Sequence, residues 1–397
     1  MITLSENTKA FISAHENEDV YDLALKASRY PDIDMGMAIA QIKGRQIAKA
    51  KVPSWYNVPG ILYPPHLSLE QCSSERTALY KSSLLSGKSM ADLTGGMGVD
   101  CSFLSHNFDH VTYIDCQEDL CEIAFHNFSV LGLTNIDVKQ QDSVQYLQSI
   151  HSVDAIYLDP ARRNNRGQKV FAIADCEPNI VEIKDLLLSK SNRVLIKLSP
   201  MLDLYEACLQ LPCVRQIHVV SSDNECKELL FLLDKERTEN PCIYCINLTS
   251  SEVQSFVFNR EEEASVTCQY TDDVKAYLYE PNASILKAGA YKVLAQRFDL
   301  LKLHPNSHLY TSDNFLPDFP GRIFSVVACS NFSKKEIKQL LSEIGKANIT
   351  VRNFPKTVKE LYRQFHILEG GDDYLFATTT ASGKHLIIHC KRERVLK

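Results

Sequence analysis

No run of apolar residues in this 397-residue chain is long enough to cross a membrane, which takes about 20 positions in succession. The first segment, Met1 to Asn17, is polar and lacks the apolar core of a secretory leader. Together these absences predict a soluble, cytoplasmic protein. A disulfide framework is missing too: the 13 cysteines are odd in number and scattered mostly through apolar segments, as reduced, buried thiols are. Cys242-Ile243-Tyr244-Cys245 is a single CxxC with no second pair nearby. It falls in a strand-like run, where residues three apart point to opposite faces, so no metal site is expected. No repeat or low-complexity tract interrupts the chain.

With 45% hydrophobic residues the composition is that of an ordinary globular protein, and the length suits about two to four domains. Charge is unevenly spread. Arg322 to Lys397 hold 14 Lys/Arg and 7 Asp/Glu, a net of +7, whereas the preceding residues hold 29 and 42, a net of −13. A basic tail on an acidic body is what a nucleic-acid-binding appendage gives. A solvated charged surface is the plainer alternative.

The stretch Ser89-Met90-Ala91-Asp92-Leu93-Thr94-Gly95-Gly96-Met97-Gly98-Val99-Asp100 reads as a short buried strand, a glycine turn and a helix start. Glycines at such a turn let backbone N–H groups approach a ligand closely. A dinucleotide fingerprint wants G-x-G-x-x-G, but Cys101 stands where the third glycine belongs, which weakens a nicotinamide reading. Val111 to Asp115 is a second strand ending in an acid, placed where nucleoside-binding folds hold ribose hydroxyls. Ile136 to Asp142 and Asp154 to Asp159 repeat the pattern, each closing on an acid at the strand's carboxyl end, where open α/β sheets bind ligands. One such Asp is an ordinary cap; three in consecutive units exceed what capping requires.

Three further strands complete the set: Arg193 to Pro200, Val214 to Val220 and Glu228 to Asp234. The spacer between the last two is too short for a crossover helix, so they should pair antiparallel. Before this α/β core, Tyr21 to Ala27 and Met35 to Ala50 are patterned as helices, and Trp55, Tyr56, Tyr63, Pro64 and Pro65 form an aromatic connector. Lys43, Arg45, Lys49 and Lys51 gather at a helix end, where they suit the helix electrostatically as well as they would suit phosphate. Beyond the core, strands run from Cys242 to Leu248 and Val253 to Phe258, and the tail alternates strand and helix up to a hairpin of Tyr374 to Thr379 with His385 to Cys390. The expected domains are 1–84 (helical), 85–270 (α/β core), 271–321 (a small module) and 322–397 (the basic tail).

The run Asp92-Leu93-Thr94-Gly95-Gly96-Met97-Gly98 resembles the first motif, D-x-G-x-G-x-G, of the class I S-adenosylmethionine-dependent methyltransferases, with Thr94 in place of the first glycine. The resemblance implies an α/β fold with a seven-stranded Rossmann-like sheet. It implies S-adenosylmethionine as cofactor, held by Asp92, Thr94, Gly95, Gly96, Gly98, Asp115, Asp142 and Asp159, with Asp115 on the ribose and Asp142 at the adenine amino group. The segment Gln71 to Lys81 resembles one that folds over the cofactor in nucleic-acid methyltransferases. Asn348 to Pro355 and Gly370 to Thr378 resemble the THUMP-like C-terminal domain of a bacterial family of class I methyltransferase-like proteins, in which a ferredoxin-like module precedes the tail. Tyr279-Glu280-Pro281-Asn282-Ala283 sits where that module begins. This resemblance implies an RNA substrate, rRNA or tRNA.

The fourth motif is Asp159-Pro160-Ala161-Arg162, with Arg163, Asn164, Asn165 and Arg166 behind it. It lacks the aromatic residue of the amino-methylating [DN]-P-P-[YF] form. It is similar to the uracil-C5 enzymes, but Leu198-Ser199-Pro200 supplies no cysteine nucleophile, so carbon chemistry is disfavoured. Asp92 to Gly98 and Leu158-Asp159-Pro160 also match ribosomal RNA guanine-N2 methyltransferases, which points to a base nitrogen. Asp159 is then expected to orient the acceptor N–H, and Arg162 to engage phosphate or a guanine edge. The altered fourth motif leaves a second class open: an RNA-binding protein that keeps the fold and has lost catalysis.

Overall fold

Residues 4–64, 72–162, 173–236 and 240–393 are described by the computed structural model. The chain forms two units, Met1–Ile217 with Glu228–Glu239, and His218–Lys227 with Asn240–Lys397.

In the first unit, apolar runs flanked by polar turns form strands β1 (Gly87–Asp92), β2 (Phe108–Asp115), β3 (Ile136–Gln140), β4 (Ala155–Leu158), the short pair β5 (Ala161–Arg162) and β6 (Cys176–Glu177), and β7 (Val194–Leu198). Strands β8 (Val214–Ser222) and β9 (Glu225–Leu233) follow as a hairpin whose tip, His218–Lys227, belongs to the second unit. Its turn residues Asp223 and Asn224 have φ of 49° and 65°, the left-handed pair that a two-residue hairpin requires. Within the nine-stranded main sheet, seven strands run in the order β3-β2-β1-β4-β7-β9-β8. It is parallel from β3 through β7, and β9 lies antiparallel to β7. This is the expected seven-stranded arrangement with its last hairpin reversed. Strand order turns at β1, between β2 and β4, and crevices open beyond the carboxyl ends of strands at such a point.

The N-terminal helices Glu6–Ala14, Val20–Leu25 and Met35–Lys51 are capped by Ser5, Asp19 and Asp34 and bury Phe11, Ile12, Leu23, Ala38 and Ile42 together. The connector after them opens with a short helix, Pro53–Tyr56, and ends in Ile61 to Pro64, which lack regular structure and are clamped by two side-chain amides. Gln41 donates to the Tyr63 carbonyl at 2.8 Å and accepts its N–H at 3.0 Å; Asn127 does the same for Leu62, both at 2.8 Å. Trp55 and Tyr63 then pack with Met97 and Val99 behind the glycine turn. Arg45 and Lys49 lie over the Tyr56 ring, and Arg45 also pairs with Glu16 at 3.3 Å.

In the second unit, β10 (Cys242–Leu248) and β11 (Val253–Phe258) form an antiparallel hairpin. Cys242 is exposed and Cys245 buried, as opposite faces demand. A second sheet contains β12 (Tyr277–Pro281), β13 (Leu301–Lys302), β14 (Tyr310–Ser312), β15 (Gly321–Asn331), β16 (Lys346–Arg352), β17 (Leu368–Thr379) and β18 (His385–Arg392), in the order β13-β14-β12-β15-β18-β17-β16. The expected hairpin of the tail is β17 with β18. Helices Lys334–Leu340 and Val358–Phe365 share one core, through Ile337, Leu361 and Phe365 against Ile349, Leu375 and Ile387. Residues 277–281 pair directly with 321–325, so the small module and the tail share one sheet.

Candidate active site

The glycine turn is built by close packing. A Cβ on Gly95 would stand 2.1 Å from the Tyr113 ring, and one on Gly98 2.8 Å from Phe128. Gly98 also needs its φ of +84° to enter the helix Val99–Leu104. Gly96 differs: a Cβ there would meet nothing closer than the Thr94 carbonyl at 3.8 Å. Packing therefore presses the turn from below and leaves its Gly96 side open, which fits a ligand laid against the backbone. Asp92 lies beneath, 1% exposed, and accepts the Thr94 N–H at 3.1 Å. Burial pushes its carboxyl well above the usual carboxylate range. The Cys101 thiol contacts it, so the residue that breaks the dinucleotide pattern is part of the turn's floor. In this position Asp92 shapes the turn from the interior.

Asp115 closes the other side. Its carboxylate accepts the Gly96 N–H on one oxygen and the Gln117 N–H on the other, each at 2.9 Å. A carboxylate has about four acceptor positions, so both oxygens keep capacity for hydroxyl donors. Asp142 is exposed and caps the helix Ser143–Ser149 through Oδ1, accepting from Val144 and Gln145 at 3.0 and 2.9 Å. Asp142 is thus a helix cap through Oδ1, and Oδ2 is left for any further partner.

Asp159 sits just past β4, where the Thr94 hydroxyl accepts its N–H at 2.6 Å. Its carboxylate forms an ion pair with Lys197 of β7. The parallel register explains the pair: Leu158 lies opposite Ile196, so the next residues on each strand stand side by side. Burial alone would lower Lys197, but Asp159, Asp100 and Glu228 outweigh it and hold the ammonium well above the ordinary lysine value.

Lys197 borders a buried charge cluster. Lys81, fully buried, donates to both oxygens of Glu228 at 2.8 Å and lies 3.2 Å from Asp100. Ser73 and Tyr157 each donate to Asp100 at 2.7 Å. Burial raises Glu228 despite the two lysines, whereas Lys81 and Lys197 overcome burial at Asp100 and lower it. Sequence reading named none of Lys197, Asp100, Tyr157 or Glu228 as site residues. Lys197 had one signal: a lone cation between Ile196 and Leu198 in an otherwise apolar strand.

The main chain of Arg162 pairs with Cys176 in the β5–β6 ladder, and its side chain lies outside what the structure describes. The donor-rich loop Arg163 to Arg166 and Gln71 also lie outside the described residues. The rest of the segment ending at Lys81 forms the helix Glu75–Ser82. In the tail, Glu280 is 1% exposed and takes both Arg322, at 2.7 Å from Nε, and Arg352, at 2.9 Å from Nη2. Lys334, Lys335, Lys338, Lys359 and Arg363 stand exposed on the two covering helices.

Residues 277–320 match a ferredoxin-like domain family, and residues 321–392 a THUMP-like domain family. The crystal structure of a candidate methyltransferase from Porphyromonas gingivalis W83 is 35% identical, with a TM-score of 0.88 over 99% of this chain and 100% of that one. An uncharacterised S-adenosylmethionine-dependent methyltransferase of Mycobacterium tuberculosis is 23% identical over 292 residues, 72% of this chain and 75% of the relative.

Proposed function

The chain belongs to the S-adenosylmethionine-dependent methyltransferases with ferredoxin-like and THUMP-like C-terminal domains, and we propose that its methyl acceptor is RNA. One observation carries the catalytic part of this reading. The open Gly96 turn, Asp115 and the Asp159–Lys197 pair converge at the carboxyl ends of β1, β2, β4 and β7. The THUMP-like tail, with its net positive charge, supports RNA as the partner.

In this reading the backbone of Thr94 to Gly98 and the Asp115 carboxylate would hold the cofactor, and Asp142 would reach its adenine amino group. The cofactor supplies an electrophilic methyl group on a sulfonium. The protein's task is then to aim a nucleophile and keep water away. Thr94 and Lys197 fix Asp159 from its N–H and its carboxylate respectively. Leu158-Asp159-Pro160 supports a base nitrogen, guanine among the candidates, as the acceptor; the Lys197 ammonium beside Asp159 favours an oxygen.

Incubating the protein with methyl-labelled S-adenosylmethionine and total RNA from a strain lacking the gene tests the reading. Label in RNA is the expected result. RNA binding without label would favour the alternative, an RNA-binding protein with a methyltransferase fold and no catalysis. Calorimetry that finds NAD bound and S-adenosylhomocysteine ignored would overturn the cofactor assignment.

A further inference from the structure

We propose that the acceptor is a hydroxyl of the RNA, the ribose 2′-oxygen, engaged between the Asp159 carboxylate and the Lys197 ammonium. This rests on the RNA-methyltransferase reading and adds the acceptor atom to it.

Hydrogen-bonding chemistry is the first ground. A carboxylate only accepts, an ammonium only donates, and a hydroxyl does both. Asp159 and Lys197 thus present, side by side, the two partners that one hydroxyl needs. An exocyclic amine of a base offers donors alone; it can use Asp159 but finds no role for Lys197. The pair is reachable: Asp159 keeps 37% of its side-chain surface and Lys197 keeps 13%.

The sign of the developing charge is the second ground. A neutral amine attacking a sulfonium becomes positive, and an adjacent ammonium opposes that change. A hydroxyl oxygen that loses its proton during attack becomes negative, and the ammonium stabilises it where it forms. Lys197 is kept cationic by its setting. Asp159 pairs with it, while Asp100 and Glu228, bridged by Lys81, face it from the helix after the glycine turn and from β9.

The third ground is what a base would need. No aromatic residue follows Asp159 in Pro160-Ala161-Arg162 to stack a base. A ribose hydroxyl needs no such platform, and it is the group that separates RNA from DNA at every nucleotide. In the step itself the hydroxyl oxygen forms a bond to the methyl carbon as the carbon–sulfur bond breaks. The sulfur keeps that bonding pair, the hydroxyl proton passes to Asp159 and then to water, and Lys197 keeps its own protons throughout.

Alkaline hydrolysis of the labelled RNA decides the matter, because strand cleavage by alkali needs a free 2′-hydroxyl. With the full chain and methyl-labelled cofactor, the label should appear in alkali-stable dinucleotides. Label in mononucleotides would overturn the hydroxyl acceptor and leave RNA methylation standing. Absence of label from every RNA fraction would sink both. Lys197→Met should lower incorporation by about 100-fold or more, the scale of one proton-transfer or charge-stabilising group. Its affinity for S-adenosylhomocysteine, read by calorimetry, should stay within about threefold. Lys197→Met with wild-type incorporation would also refute the proposal.

Discussion

The Thr94 hydroxyl accepts the Asp159 N–H at 2.6 Å. One bond thereby joins the loop after β1, where a cofactor would rest, to the strand end that carries the candidate catalytic acid. The residue that departs from the methyltransferase motif, Thr in place of Gly, makes this bond. Glycine could not.

Thr94→Val keeps the shape and removes the acceptor of a part-buried N–H, which costs about 1 kcal/mol, the low end of the range for a fully buried group. The melting temperature should fall by roughly 2–4 °C for each kcal/mol lost in a domain of this size. Methyl transfer should fall with it, because the Asp159 main chain loses its anchor. Thr94→Ser should restore both. Equal melting of the Thr94→Val variant and the wild-type protein would mean that the contact is not maintained in solution.

Asp115→Ala removes the acceptor for the Gly96 N–H and the group expected on the ribose. Loss of one charge-assisted bond is worth about 1.5–3 kcal/mol, so S-adenosylmethionine should bind roughly 10- to 100-fold more weakly. Asp142→Ala should behave differently. It loses a helix cap, at about 1 kcal/mol of stability, with a smaller change in affinity. Titration calorimetry on the two variants separates the roles, and unchanged affinity in both would remove these acids from the cofactor site.

The sheet was legible because buried strands are apolar runs and because the gap between Val214–Val220 and Glu228–Asp234 is too short for a crossover. The glycine turn was legible because close approach to Tyr113 and Phe128 demands glycine at 95 and 98. Asp142 shows that a strand-end acid can serve as the cap of the helix that follows it. The charge cluster was illegible for a different reason. Lys81 and Glu228 stand 147 residues apart, at a helix end and at what the sequence reads as a strand start, where charges ordinarily mark solvent. Only strand order and register bring them together. Likewise, nothing local in residues 277–281 announces their pairing with 321–325.

Two histidines should cost the protein stability in acid, above the range in which ordinary carboxylates titrate. Burial pushes His218, stacked on Tyr244 at 4.6 Å, down to about 4, and His308 falls likewise to about 4. Each unfolded histidine takes a proton below about pH 6.5 while the folded one stays neutral. Stability is therefore lost as pH falls from about 6.5 toward 4. Between pH 6.5 and 5 the loss is on the order of 2 kcal/mol per histidine. His218→Phe, which keeps a stacked ring and cannot titrate, should flatten the melting-temperature curve over that range. Superimposable curves for variant and wild type would assign the acid sensitivity to other groups.

The net charge of the tail overstates what RNA can use. Glu280 holds Arg322 and Arg352, and Asp373 holds Lys391 at 2.7 Å. Cutting the chain at Gly321 is also a poor test, since it strips β15 from β12 and breaks a shared sheet. Point changes are cleaner. Lys334, Lys335 and Lys338 are exposed on one helix. If they contact phosphate, each releases about 0.7 of a counterion from single-stranded RNA. Replacing all three with Ala should then lower the slope of log affinity against log salt by about 2. Arg352→Ala should leave that slope unchanged and lower the melting temperature, because buried Glu280 keeps only Arg322. Should the triple variant bind RNA with the wild-type slope, these lysines are a solvated face and the RNA contact lies elsewhere in the chain.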